Sequence, residues 1–221
     1  MKKLTFLFVA LLFLIPAINF AQGGLEKGNW YFHPSALLFD LGSASTTTSI
    51  GGNELPGENF SFSNSTVPGV GIGYAVSPSI SIFSVLSFPP TTTAEGTGNN
   101  GLDGVTAAEV TYAPFALIGI YHFKFGGFEP FIGAGLSYTA ILDVEDKAVV
   151  NVEAENAFGF IFRGGVDYMF NDTWGANITV NKLFVSTEIT GTAPTQQGPA
   201  PAVVDASLDP WIYTLGLVYR L

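Results

Sequence analysis

Between Phe158 and Phe170 side chains of like character recur at every second position. Phe158, Phe160, Phe162, Gly164, Val166, Tyr168 and Phe170 share one face, and Gly159, Ile161, Arg163, Gly165, Asp167 and Met169 the other. A period of two marks a β-strand, because successive side chains of a strand point to opposite faces. The C-terminus repeats the pattern. Trp211, Tyr213, Leu215, Leu217, Tyr219 and Leu221 line one side, while Arg220 sits on the other with Ile212, Thr214, Gly216 and Val218. A face of apolar residues free of charge is what a lipid-facing strand presents.

Extended along the chain, this pattern predicts eight strands, at about 28–39, 67–76, 80–88, 111–124, 128–142, 156–170, 174–190 and 208–221. Their connections alternate in length. Short ones are Ser77-Pro78-Ser79, Phe125-Gly126-Gly127 and Asn171-Asp172-Thr173, all with turn chemistry; long ones cover about 40–66, 89–110, 143–155 and 191–207. An even strand number, short turns at one end and long loops at the other predict an all-β fold, an eight-stranded antiparallel transmembrane β-barrel wound as an up-and-down meander. A soluble sandwich or lipocalin-like barrel is the rival, and it would leave Phe162, Val166, Tyr168 and Leu215 facing water.

Composition favours the membrane. Charged residues are 12% of the 221, against roughly 25% in soluble domains, while 48% are apolar and mean hydropathy is +0.38. After the N-terminal segment, no stretch approaches the ~18 consecutive apolar residues of a spanning helix. At the N-terminus, Lys2 and Lys3 precede an apolar run from Leu4 to Ala17 and then Ile18-Asn19-Phe20-Ala21. That layout predicts a secretory signal peptide over 1–21 and a barrel over 22–221, delivered to a Gram-negative outer membrane; the run is short for the alternative, an uncleaved anchor helix.

Loss of the leader changes the net charge from 8 − 18 = −10 to 6 − 18 = −12. The remaining cations, Lys27, Lys124, Lys147, Arg163, Lys182 and Arg220, are scattered, which argues against a nucleic-acid partner. The absence of Cys removes disulfides, thiolate metal sites and a cysteine nucleophile. Strand bookkeeping puts His122 near the short-turn end and His33 mid-barrel, away from the outer rim where a lipid-modifying barrel would need one. No nucleophile elbow, zinc-protease motif or phosphate loop is present, so neither an enzyme nor a cofactor is expected. Asp143, Glu145, Asp146, Glu153 and Glu155 surround Lys147 in the third long loop, either as a solvated surface or as a divalent-cation site bridging lipopolysaccharide phosphates. Residues 193–201 are low-complexity and predict a mobile loop.

Particular residues add a family. The run from Phe128 to Thr139, with Pro130, Gly133, Gly135 and Tyr138, resembles a stretch typical of the OmpW/AlkL outer-membrane proteins. Gly165-Val166-Asp167-Tyr168-Met169, Trp174 after a tight turn, and Asp209-Pro210-Trp211 followed by Gly216 and Tyr219-Arg220 match in order. Two departures stand out. The chain ends in Leu221 where relatives usually end in Phe, and Asn181 stands where many carry a large lumen-facing aromatic. The resemblance implies a narrow, largely apolar barrel associated with passive uptake of small hydrophobic molecules.

Side chains can just fill an eight-stranded barrel, so passage depends on which residues point inward. Alternation makes Phe83, Val85, Ile118, Ile120, Ile161 and Asn181 candidates to line the lumen. His122, Lys124, Arg163, Asp167 and Arg220 gather toward the short-turn end as a polar plug. Two readings remain: an apolar passage closed below, releasing solute sideways into the bilayer, or a solid core over a satisfied ion-pair network. Inward glycines either leave space for solute or make room for Phe83 and Phe131. Tyr74, Tyr121, Phe123, Phe170, Trp174 and Tyr219 form one expected aromatic girdle, and Tyr112, Phe158 and Trp211 the other. Expected partners are outer-membrane lipids, lipopolysaccharide, small hydrophobic solutes and the barrel-assembly machinery. A non-transporting surface barrel whose loops bind lipopolysaccharide, phage or host molecules is the alternative function.

Overall fold

A computed structural model describes residues 25–221 except 43, 56–58, 99–102 and 196–197. The expected signal peptide lies outside the described residues. Fourteen strands are found among those described: β1 (Trp30–Asp40), β2 (Ser45–Ile50), β3 (Asn53–Glu54), β4 (Asn59–Phe62), β5 (Ser65–Ser77), β6 (Ile80–Ser87), β7 (Thr91–Thr97), β8 (Thr106–His122), β9 (Phe128–Asp146), β10 (Val150–Ala154), β11 (Ala157–Met169), β12 (Trp174–Thr195), β13 (Gly198–Ser207) and β14 (Trp211–Arg220).

Eight of them close a ring in the order β1-β5-β6-β8-β9-β11-β12-β14 and back to β1, every neighbour antiparallel. These are the eight strands the alternation predicts. Closure is made by the first and last strands, with Tyr31 opposite Arg220 and Leu38 opposite Tyr213; beyond it, Leu221 N–H donates to the Trp30 carbonyl at 3.0 Å. Leu221 therefore takes its place in the ladder as a backbone donor.

The other six strands occupy segments expected as loops. β8, β9 and β12 run on past the lipid-facing band, and β7 and β13 pair with the extensions of β8 and β12. β4 adds to β7, β2 to β13, β3 to β2, and β10 to β12. This extension has its own apolar core of Leu41, Phe62, Ala94 and Ala206, with Phe60, Ile189 and Leu208 against it. In the low-complexity run, expected to be a mobile loop, the described residues belong to paired strands: Pro194 on β12 stands opposite Pro199 on β13, and Thr195 opposite Gly198. Its prolines and small residues hide the strand period, so long-range pairing had to supply the signal.

In the acidic third loop, Asp146 accepts from the Asn151 and Val152 amides at 2.7 and 3.0 Å, closing a turn. Lys147 Nζ lies 2.6 Å from Glu145 and 3.4 Å from Glu109. Among the described residues no group of three or more His, Cys, Asp or Glu is placed to hold a metal ion.

Outward residues are the expected apolar set. Trp30 and Tyr74, Tyr121 and Phe123, and Trp174 and Tyr219 pack ring to ring near the short-turn end, at centroid separations of 5.0, 5.0 and 4.7 Å. Tyr112 differs from expectation: it turns inward, edge-on to the buried Phe39 ring at 6.2 Å. It shares the parity of the inward Ala116 and Ile118, so its strand position forbids a place in the outer girdle. Lys124 also departs, standing exposed beyond β8 and donating to the Leu25 carbonyl at 2.9 Å, while Leu25 itself is buried across the short-turn mouth.

The lower barrel is solid. Tyr31, Phe83, Ile118, Ile120 and Phe131 form its core with Leu25. Inward glycines supply the volume: a Cβ at Gly71 would overlap the Phe83 ring, and one at Gly165 would come within 2.6 Å of Phe131 Cζ. Gly119, in contrast, would place a Cβ toward lipid, 3.9 Å from its nearest neighbour. Gly71→Ala should lower the free energy of unfolding in lipid vesicles by roughly 1–3 kcal/mol through overpacking. Gly119→Ala should change it by less than about 0.5 kcal/mol. Urea titrations followed by Trp fluorescence would measure both, and equal effects would contradict this packing.

Candidate functional site

The plug combines contacts that cross the lumen between non-adjacent strands with contacts between paired neighbours. Arg220 on β14 grips Glu129 on β9 with both ends of its guanidinium, at 3.0 and 2.7 Å, and both residues are buried. Asp167 on β11 accepts from Asn177 Nδ2 at 2.5 Å and faces His33 Nε2 on β1 at 3.4 Å. The Ser81 hydroxyl bridges Tyr31 Oη and His122 Nε2 at 2.7 and 2.8 Å. Parallel N–H···O bonds to a carboxylate are among the stronger polar contacts, and here they tie opposite walls together.

Above these pairs sits Arg163. Its Nη1 donates to Asn181 Oδ1 at 2.9 Å and its Nη2 to the Thr179 hydroxyl at 3.3 Å. Thr179 donates in turn to Asn177, and Asn177 to Asp167, so one chain of hydrogen bonds runs from the plug's top to its centre. The guanidinium carbon lies 4.4 Å from the Phe83 ring centroid and 5.4 Å from that of Phe131. Cation–π attraction of this kind strengthens where water is excluded.

All four residues assigned to the plug, His122, Arg163, Asp167 and Arg220, come together there. The structure adds Tyr31, Glu129 and His33. His33, expected at mid-barrel, stands opposite Gly71 at the middle of β5, lines the central void and meets Asp167 across the lumen. Glu129 shares the inward parity of Phe131 and was legible on that ground alone. Its partner across the barrel was not.

Over the plug lie three small voids, one above another. The central one, about 40 Å³, is lined by Leu37, Phe83, Val85, Ile161 and Ile212, with Arg163, Asn181 and His33 below. A second, about 40 Å³, meets it at Phe39, Pro114 and Leu183 and is walled by Leu41, Tyr112 and Val185. The third, about 50 Å³, lies within the extension and meets the second at Phe62 and Ile189. As the side chains stand, each holds only a few waters, so a larger molecule enters by displacing lining side chains. Of the expected lumen residues, Phe83, Val85, Ile161 and Asn181 line the central void, whereas Ile118 and Ile120 are buried in the core and outside that lining.

The central void reaches the wall at one seam. Pairing of β6 with β8 stops at Val85–Ala116, and pairing of β7 with β8 resumes only at Thr91–Thr111. Pro89, Pro90 and Pro114 fall in this interval and have no N–H to donate; Tyr112 N–H donates across it to the Pro90 carbonyl at 3.1 Å. Ser87, Pro114 and Phe115 at the seam belong to the void's lining, and Leu86 and Phe88 project from it toward lipid.

A closed eight-stranded ring with an apolar wall, an ion-paired plug and apolar voids above it defines a small outer-membrane β-barrel. The model of the OmpW family matches residues 27–221, and the chain belongs to that family. It is 31% identical over 170 residues to the uncharacterized outer-membrane protein y4mB of Sinorhizobium fredii, covering 76% of this chain and 71% of that one. It is 28% identical over 195 residues to the dibenzothiophene metabolism operon protein PahQ of Pseudomonas aeruginosa, covering 87% and 88%. The crystal structure of outer membrane protein OprG from Pseudomonas aeruginosa superposes with a TM-score of 0.83 at 22% identity, covering 91% of this chain and 99% of that one.

Replacing Glu129 by Gln would leave Arg220 buried without its counter-charge, and should destabilise the barrel by roughly 3–5 kcal/mol. Replacing the pair together, with Glu129→Met and Arg220→Leu, should recover most of that loss. Equilibrium unfolding of the three chains would measure both effects, and a double variant no more stable than Glu129→Gln would contradict the pairing.

Proposed function

We propose that this barrel is a narrow route by which small hydrophobic molecules pass from the cell exterior into the outer membrane. Solute enters the extension, descends the apolar voids, is stopped by the plug and leaves sideways through the β6–β8 seam. The observation that carries this reading is that the apolar column ends on the buried Arg163, with ion pairs beneath it, and just above that floor meets the wall where three prolines interrupt the hydrogen-bond ladder. Axial exit would require a hydrophobic solute to part Arg220 from Glu129, an exchange of buried charge–charge contact for apolar contact that costs several kcal/mol. Lateral exit breaks few bonds, since prolines leave few to break.

Family membership supports the reading, as does a relative whose name places it in a dibenzothiophene metabolism operon, dibenzothiophene being a compact apolar heterocycle. Within it, residues 1–21 are the export signal, the barrel-assembly machinery inserts the chain, and lipid and lipopolysaccharide surround the wall.

Uptake of naphthalene into liposomes carrying the refolded barrel tests the route. Val85→Asp puts a fixed polar group in the path of an apolar solute through the central void and should slow uptake at least roughly tenfold, which needs only about 1.4 kcal/mol of added cost at that step. A Leu86→Cys/Phe115→Cys chain, oxidised, would staple the seam; uptake should fall and return on reduction. Unchanged uptake in the stapled barrel would remove lateral exit.

A further inference from the structure

The floor of the central void is not apolar. Arg163 is 4% exposed, yet among the described residues its guanidinium has no carboxylate within ion-pair distance; its hydrogen-bond partners are the neutral side chains of Asn181 and Thr179, and its Nε has none. Asp167, four residues further toward the periplasmic end on the same strand, is occupied by Asn177 and His33. Four more buried polar atoms without a hydrogen-bond partner belong to residues of the same lining: Ser137 Oγ, Thr214 Oγ1 and both ring nitrogens of His33, of which Nε2 lies 3.4 Å from Asp167. A buried polar group left unpaired is costly, and a buried cation more so. Their convergence on one void, under walls of Leu37, Val85, Ile161 and Ile212, describes a site with an anionic head position and an apolar tail position.

We propose that the central void binds a monocarboxylate carrying a short apolar chain, head down on Arg163. A guanidinium matches a carboxylate in plane and spacing, and Arg163 retains Nε–H and further N–H donors beyond those given to Asn181 and Thr179. Ser137 and Thr214 can each donate one hydroxyl hydrogen to the same head group. Asn181 sets the guanidinium: its Oδ1 accepts from Nη1 and its Nδ2 is anchored on the Ile212 carbonyl at 3.0 Å. The chain of the ligand points up into the second void, past Phe39 and Leu183. A divalent phosphate has no second cation to meet on this floor, whereas a singly charged carboxylate neutralises Arg163 one for one.

This inference rests on the solute route proposed above and narrows its substrate class. Octanoate and 1-octanol, equal in length and differing in charge, are suitable probes for the full barrel in nonionic micelles at neutral pH. Titration calorimetry should show octanoate binding at least roughly tenfold tighter, as expected for a charge-assisted pair. Arg163→Gln should erase the preference, and Arg163→Lys should retain part of it. The chain contains two arginines, Arg163 and Arg220, so the wild-type nitrogen spectrum carries two Nε–Hε signals. The one with contacts to the Phe83 ring should shift on adding octanoate and stay in place with 1-octanol, a measurement that needs no variant to fold. Equal affinities, or an unmoved Arg163 signal, overturn the carboxylate site. If 1-octanol binds and octanoate binds no better, the apolar route stands alone; if neither binds, both proposals fall.

Discussion

Every feature of this protein depends on the backbone hydrogen bonds between β1 and β14. In the hydrocarbon of a bilayer an unpaired N–H or C=O costs several kcal/mol, so a sheet can cross only if it has no edge. Pairing Tyr31 with Arg220 and Asp40 with Trp211 joins the first and last strands and removes both edges at once. Once the ring is closed, each strand's parity is settled around the whole circumference. One face must be Phe, Leu, Ile and Val for lipid, and the other must fit a lumen only a few side chains wide.

That narrowness decides what the interior can do. In the lower half, large rings and glycines alternate across strands until no passage remains, Phe83 over Gly71 and Phe131 over Gly165. Of the charges buried there, Glu129 is held across the lumen by Arg220, and Asp167 faces His33 across it and accepts from Asn177 on the neighbouring strand. The packed core over an ion-paired network, one of the two readings open to the sequence, thus describes the lower barrel. The upper half keeps space, and its lining is apolar apart from the floor around Arg163.

The extension beyond the membrane follows from strand length. β8, β9 and β12 contain 17, 19 and 22 residues, well over the roughly 9–11 that a tilted strand needs to cross the hydrocarbon. Their surplus projects outward, and water there would compete for its backbone groups. Short partners, β7, β10 and β13, pair with these ends, and the apolar sides of the resulting sheet meet over Phe62 and Ile189. The described parts of the long external segments thereby pair into a sheet that encloses the third void.

The sequence by itself determined the eight spanning strands, their order, the lipid face and most inward residues, because a period of two against lipid leaves one consistent solution. Parity alone also pointed His122, Arg163, Asp167 and Arg220 inward, where all four are buried. Partners across the lumen were beyond it: Glu129 meets Arg220 at a separation of 91 residues, and His33 meets Asp167, through the stagger at which the ring closes, which no local pattern records. Tyr112 was misplaced by its type when its parity pointed inward. The extension strands lacked a readable period because polar, Gly- and Pro-rich segments hold their pairing through the barrel ends beneath them. Only the tertiary structure brought three prolines and the central void to one seam, since two of them lie between β6 and β7 and the third on β8.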